Sequence, residues 1–149
     1  MSSNDLLDFW LVTDEDMQQI QERIERALQP GITIQEYYLI PPEDKPLQTR
    51  VTAALYEVRF DPLVLPADLL ERINHFLNLK ECIRERRGKS YDLIPLIESL
   101  CISENDPNVI LMTLSARPSA TGRPEEVLDA MGLSIQDTSI TRSGLVLTA

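Results

Sequence analysis

Residues 54–77 read ALYEVRFDPLVLPADLLERINHFL, and the change of period inside that stretch decides the fold. Ala54, Tyr56, Val58 and Phe60 alternate with Leu55, Glu57 and Arg59, the period of two that a half-buried strand presents. Beyond Pro66, which suits the first turn of a helix, Leu69, Leu70, Ile73, Phe76 and Leu77 recur at helical spacing and define one apolar stripe. KECIRER, residues 80–86, then reads as the returning strand. One strand, helix, strand unit is complete.

The pattern recurs on both sides of it. Upstream, LLDFWLV (Leu6 to Val12) precedes a helix with Thr13 as N-cap and Asp16 three residues on, and with Met17, Ile20, Ile24, Ala27 and Leu28 on one face. Gly31 ends that helix, and ITIQEYYLI, rich in β-branched and aromatic residues, reads as a strand stopping before Pro41 and Pro42. Downstream, VILMTL (Val109 to Leu114) is followed by a polar loop and a short helix opened by Pro124, with Val127, Leu128 and Met131 inward and Gly132 as stop. TSITRSGLVL closes that copy. Right-handed crossovers place the helices of such units on one side of their sheet. The fold class expected is α+β: ferredoxin-like split βαβ units, a sheet with helices packed on one face, plus an inserted β-hairpin. Residues 1–47 form half a unit in this reading, and residues 48–149 a complete one with the hairpin insertion near 88–107.

Composition narrows the function classes. With 43% hydrophobic and 26% charged residues and five glycines, the chain has the make-up of a packed globular protein. Its 24 carboxylates against 14 Lys plus Arg give a formal charge of -10, a field that repels polyanions, so any nucleic-acid contact must be local. The N-terminus lacks the basic start and long apolar run of a secretory signal, and no apolar stretch approaches a membrane span. Cytoplasmic residence without a membrane partner is the expectation. Cys82 and Cys101 stand nineteen residues apart with no partners at metal spacing, and buried, reduced thiols are expected.

Four stretches together, LLDFWL, GITIQEYYLIPPEDKPLQTRVTAALYEV, RRGKSYDLIPLIESL and RPEEVLDAMGL, resemble the uncharacterised radical-SAM-linked domain, a family found fused to or encoded beside radical S-adenosylmethionine proteins. The likeness covers nearly the whole chain, and its motifs are structural rather than catalytic. Members usually carry a further N-terminal strand, helix and strand, so the resemblance implies a C-terminal portion. It also implies a radical S-adenosylmethionine protein or domain as partner. The iron-sulfur cluster of such a partner needs three closely spaced cysteines, which two thiols cannot replace.

No catalytic and no metal site is expected, and no cofactor. His75 is the only histidine, which removes most acid-base, triad and metal schemes, and its helical phase sets it opposite the apolar stripe, toward solvent. Asp14, Glu15, Asp16, Glu125 and Glu126 fall in first turns of helices, where they complement the dipole. Two cationic stretches remain. In RERRGK, alternation sends Arg84 and Arg86 to one face while Arg87, Gly88 and Lys89 make a tight turn. With Lys80 included, residues 80–89 carry five positive and two negative charges, net +3. The second is SARPSATGRPEE, where Arg117 and Arg123 precede a helix N-terminus, in what reads as a flexible loop. The function classes that follow are a noncatalytic accessory domain that recognises a substrate, RNA by analogy of architecture, and a structural module that holds two copies together as a homodimer. An independent hydrolase lacks a visible nucleophile with its base.

Overall fold

The computed structural model describes residues 2–148, which divide into two compact units, residues 7–46 and residues 2–6 with 47–148. In the larger unit a one-turn helix α2 (Leu47–Arg50) leads into β1 (Val51–Phe60), followed by α3 (Leu69–Leu77), β2 (Ile83–Arg86), β3 (Lys89–Asp92), β4 (Ile97–Ile102), β5 (Val109–Arg117), β6 (Ala120–Thr121), α4 (Pro124–Ala130) and β7 (Thr138–Leu147). The smaller unit contains the helix α1 (Met17–Ala27).

The principal sheet runs β4-β5-β1-β7, every neighbouring pair antiparallel. Two split crossovers generate this order: β1–α3–β4 leaves a gap that β5 fills, and β5–α4–β7 leaves a gap that β1 fills. This is the ferredoxin-like arrangement, with β6 and the β2–β3 hairpin as additions. The even-numbered positions of β1 and β5 face the helices. Val58, Phe60, Ile110, Met112 and Leu114 are buried in one cluster with Leu69, Ile73 and Phe76 of α3 and Val127 and Leu128 of α4. Gly132 (φ +69) takes the left-handed conformation that ends α4, its N–H donating to the Asp129 carbonyl at 3.0 Å and that of Leu133 to Leu128 at 2.9 Å.

Several expectations are corrected. KECIRER is not the returning strand of the main sheet; Ile97–Ile102 is, and residues 83–86 pair instead with 89–92. The physical reason lies in the turn. Arg87 (φ 52) and Gly88 (φ 73) both adopt the left-handed conformation of a two-residue hairpin turn, so the chain reverses before it can reach the sheet. The inserted hairpin is therefore 83–92, earlier than 88–107. In α3, Leu69, Ile73 and Phe76 are buried, whereas Leu70 and Leu77 are exposed, because the stripe follows i, i+4, i+7 alone. His75 is exposed, as its phase implies. Cys101 lies on the sheet face away from the helices and is exposed, while Cys82 is half-buried against the core. The N-cap of α1 is Asp16 rather than Thr13.

Within residues 7–46, the helix expected between two strands is present, with Ile20 buried and Met17, Ile24 and Leu28 half-buried. The strands expected at 6–12 and 32–40 are not formed. A crossover unit sets its two strands one strand apart, so they cannot pair with each other, and among the described residues no strand lies between them.

The turn itself yields a prediction. An arginine at positive φ is held against its preference, whereas asparagine followed by glycine is the favoured pair for this turn. Arg87→Asn is expected to raise the unfolding free energy by about 0.5–1 kcal/mol, measured by urea denaturation.

Candidate anion-recognition surface

Alternation along β2 turns Arg84 and Arg86 to the same side, as expected, and that side meets α4. Arg84 pairs with Asp129, and Arg86 pairs with Glu126 through two guanidinium nitrogens, Nε donating to Oε1 at 3.0 Å. Arg86 also donates from Nη1 to the Thr121 carbonyl at 3.0 Å and lies over the Tyr91 ring, 4.8 Å from its centroid. Burial pushes the Glu126 carboxyl up. The hydrogen bonds from Arg86 and Tyr91 and the charges of Arg86 and Arg123 outweigh that effect, holding the group below its ordinary 4.5. The base of the hairpin is closed by Asp92, whose Oδ1 accepts from the Cys82 N–H at 2.8 Å, and by the fully buried Leu93.

These contacts divide the seven cations singled out in the sequence. Arg84 and Arg86 are neutralised by α4 and clamp the hairpin down. Counting Asp129 and Glu126 with residues 80–89 lowers the local charge from +3 to +1. Lys80 is exposed but lies at the open end of the hairpin, away from its tip. Arg87 and Lys89 are exposed at the tip.

The second stretch is ordered rather than flexible. Pro118 and Ser119 turn between β5 and β6, with Ala116 opposite Thr121 and Arg117 opposite Ala120. Ser115, buried at the bend, donates to the Ala120 carbonyl at 2.5 Å, and Thr121 donates to the Arg117 carbonyl at 2.8 Å. Arg117 and Arg123 are exposed at the two ends of this small hairpin. Because Arg86 grips Thr121 and Glu126 at once, the tip carrying Arg87 and Lys89 is held beside the segment carrying Arg123. Segments roughly thirty-five residues apart in sequence are thereby joined.

Arg123 also lines a groove of about 500 Å³ with Ser2, Tyr56, Thr121, Glu125, Ile140 and Arg142. Sequence reasoning missed this groove. Its one signal is Arg142, a cation inside the apolar strand 138–147, opposite Tyr56 on β1. Arg142 pairs with Asp5, and the Ser3 N–H donates to the Arg142 carbonyl at 3.1 Å, which fixes residues 2–5 against the edge of β7. Burial raises the Tyr56 phenol, partly countered by Arg142. The groove offers hydrogen-bond donors around an aromatic wall.

Among the described residues, no three His, Cys, Asp or Glu side chains come together as metal ligands. No helix among those residues is long and apolar enough to cross a membrane. No curated protein and no solved structure matches the chain. One protein family does, over residues 1–124, a span that takes in the whole β2–β3 hairpin, β5 and β6. The chain thus belongs to the family described as uncharacterized protein conserved in bacteria (DUF2344), known as a C-terminal domain linked to radical-SAM proteins.

Proposed function

We propose that the chain is a noncatalytic recognition domain acting with a radical S-adenosylmethionine protein, and that its cationic surface contacts RNA through Arg87, Lys89, Arg117 and Arg123. The observation that supports this reading is the Arg86 grip, which holds the hairpin that ends in Arg87 and Lys89 to Thr121 and Glu126, on either side of Arg123, in an otherwise acidic protein. Four cations on phosphates give a salt slope of about -3 for a single strand. Such a contact is short-ranged, since the surrounding carboxylates oppose it beyond a Debye length. The family's link to radical-SAM proteins supports such a partner.

Arg87→Glu with Lys89→Glu is expected to weaken retention of a single-stranded RNA oligonucleotide about tenfold or more, and to reduce the salt slope by about 1.4. Filter binding across a salt series measures both. Unchanged affinity and slope in this double variant would remove RNA from the reading and leave the partner role standing.

A second reading, a module that joins two copies, is favoured by one observation. The segments flanking α1 expose Leu7, Phe9, Trp10, Leu11, Val12, Tyr38, Leu39 and Ile40, more apolar surface than a short stretch of chain usually leaves in water.

A further inference from the structure

Tyr56, Ile140 and Arg142 lie on one face of the sheet, because Tyr56 stands opposite Arg142 and Val58 opposite Ile140. Helices α3 and α4 cover that face over Val58 and Phe60. The groove opens where α4 begins, with Arg123, Pro124 and Glu125 among its lining, and its volume of about 500 Å³ falls within the roughly 300–1,000 Å³ of small-ligand sites. Three polar side chains there are unengaged. Arg123 and Glu125 bear opposite charges, yet neither forms an ion pair with the other or with any other described residue. The Tyr56 hydroxyl, on a half-buried ring, hydrogen-bonds to no described residue, although Arg142 and Glu125 are near enough to act on it electrostatically. Charges of both signs in one groove disfavour a bare oxyanion, since Glu125 repels what Arg123 attracts. The occupant must turn an anion toward Arg123 and hydrogen-bond donors toward Glu125, around a body that fits against a phenol ring and Ile140. A ribonucleotide has those three parts in phosphate, ribose hydroxyls and base.

We propose that the groove receives one nucleotide of a bound RNA strand. Arg123 holds its phosphate, Glu125 accepts a hydrogen bond from the ribose 2′-hydroxyl, and the base lies against Tyr56 and Ile140 with its edge at the Tyr56 hydroxyl. Arg142, paired with Asp5, stays part of the wall. This rests on the RNA reading, with which it shares Arg123, and adds a sugar preference to it. The 2′-hydroxyl is the group by which a protein tells RNA from DNA at a given site.

The test titrates the full chain with adenosine and uridine 5′-monophosphates and with their 2′-deoxy forms, following the Ile140 methyl and Gly122 amide resonances, which report the groove. Retention of the single-stranded RNA oligonucleotide is measured beside it. Ribonucleotides are expected to shift both resonances, and the deoxy forms to bind about tenfold more weakly, the loss of one hydrogen bond to a charged group. Glu125 is exposed, so Glu125→Ala should keep the fold and bind the two sugars within about twofold of each other. Tyr56→Phe, which keeps the ring, should weaken both kinds alike. Equal binding of ribose and deoxyribose forms by the unsubstituted chain overturns the assignment. No shift from any mononucleotide, with the oligonucleotide still retained, overturns the pocket and leaves the RNA contact standing. Shifts without retention overturn the RNA contact and with it a strand as occupant, and neither shift nor retention overturns both.

Discussion

Replacing Phe76 with alanine lowers the unfolding free energy by about 3–5 kcal/mol, the cost of deleting a buried aromatic ring and leaving its cavity. Phe76 is 1% exposed and sits in the one core cluster with Ile73 of α3, Leu93 at the hairpin base, Leu100 of β4, and Ile110 and Met112 of β5. Collapse of α3 into the space is limited, since the helix is also tied to the end of α4. Arg72 donates from Nη1 to the Met131 and Gly132 carbonyls at 3.2 and 3.1 Å, and from Nε to Asp68 at 2.9 Å. A loss of that size is a large fraction of the roughly 5–15 kcal/mol by which a domain is stable. The neighbour supplies the contrast. Leu77 is 46% exposed, so Leu77→Ala should change stability by no more than about 0.5 kcal/mol. Urea denaturation of both variants decides between them, and equal losses would mean that the helix presents a different face to the sheet.

Phe76 and Leu77 also show how much of the molecule was legible beforehand. Periodicity identified α3, β1, β5, α4 and β7 as elements, because each is apolar on a face that repeats at its own period. It could not rank residues at the margin of a stripe. Leu70 and Leu77 lie one helical step from the buried row, and only the shape of the opposing sheet separates contact from exposure. The returning strand was misplaced for a different reason. Ile83–Arg86 alternates as well as Ile97–Ile102 does, and the competition was settled by the turn at Arg87 and Gly88, which commits the first to a local partner. At the site, alternation foretold that Arg84 and Arg86 share a face. What that face meets is a matter of tertiary packing, and no local pattern pairs residue 86 with residue 126. The groove was invisible on the same ground, since Tyr56 and Arg142 become neighbours only through the pairing of β1 with β7.

Glu126→Ala is expected to cost about 2 kcal/mol and to free the hairpin before the rest of the unit unfolds. Both partners are largely enclosed, with Arg86 24% and Glu126 19% exposed at the side chain. Removing the carboxylate strands a guanidinium whose other acceptors among the described residues are the Thr121 carbonyl and the Tyr91 hydroxyl. The loss falls short of the roughly 3–5 kcal/mol seen for fully buried pairs, because water still reaches the rim of this one. Arg84 and Asp129, more exposed, add under about 1 kcal/mol and cannot hold the hairpin alone. Acid should reproduce the effect. The folded Glu126 carboxyl lies below its ordinary 4.5, so the folded state binds the proton less tightly than the unfolded chain. The pair's contribution is then complete above about pH 4.5 and disappears as pH falls through the lower, folded value. Hydrogen exchange of residues 83–92 should quicken in that window in the unsubstituted protein, whereas Glu126→Gln should exchange quickly at every pH without the added acid dependence. Equal protection of the hairpin in Glu126→Ala and the parent at neutral pH would show that Leu93 and Asp92 at its base suffice to dock it. Arg86 would then be available to an anion after all.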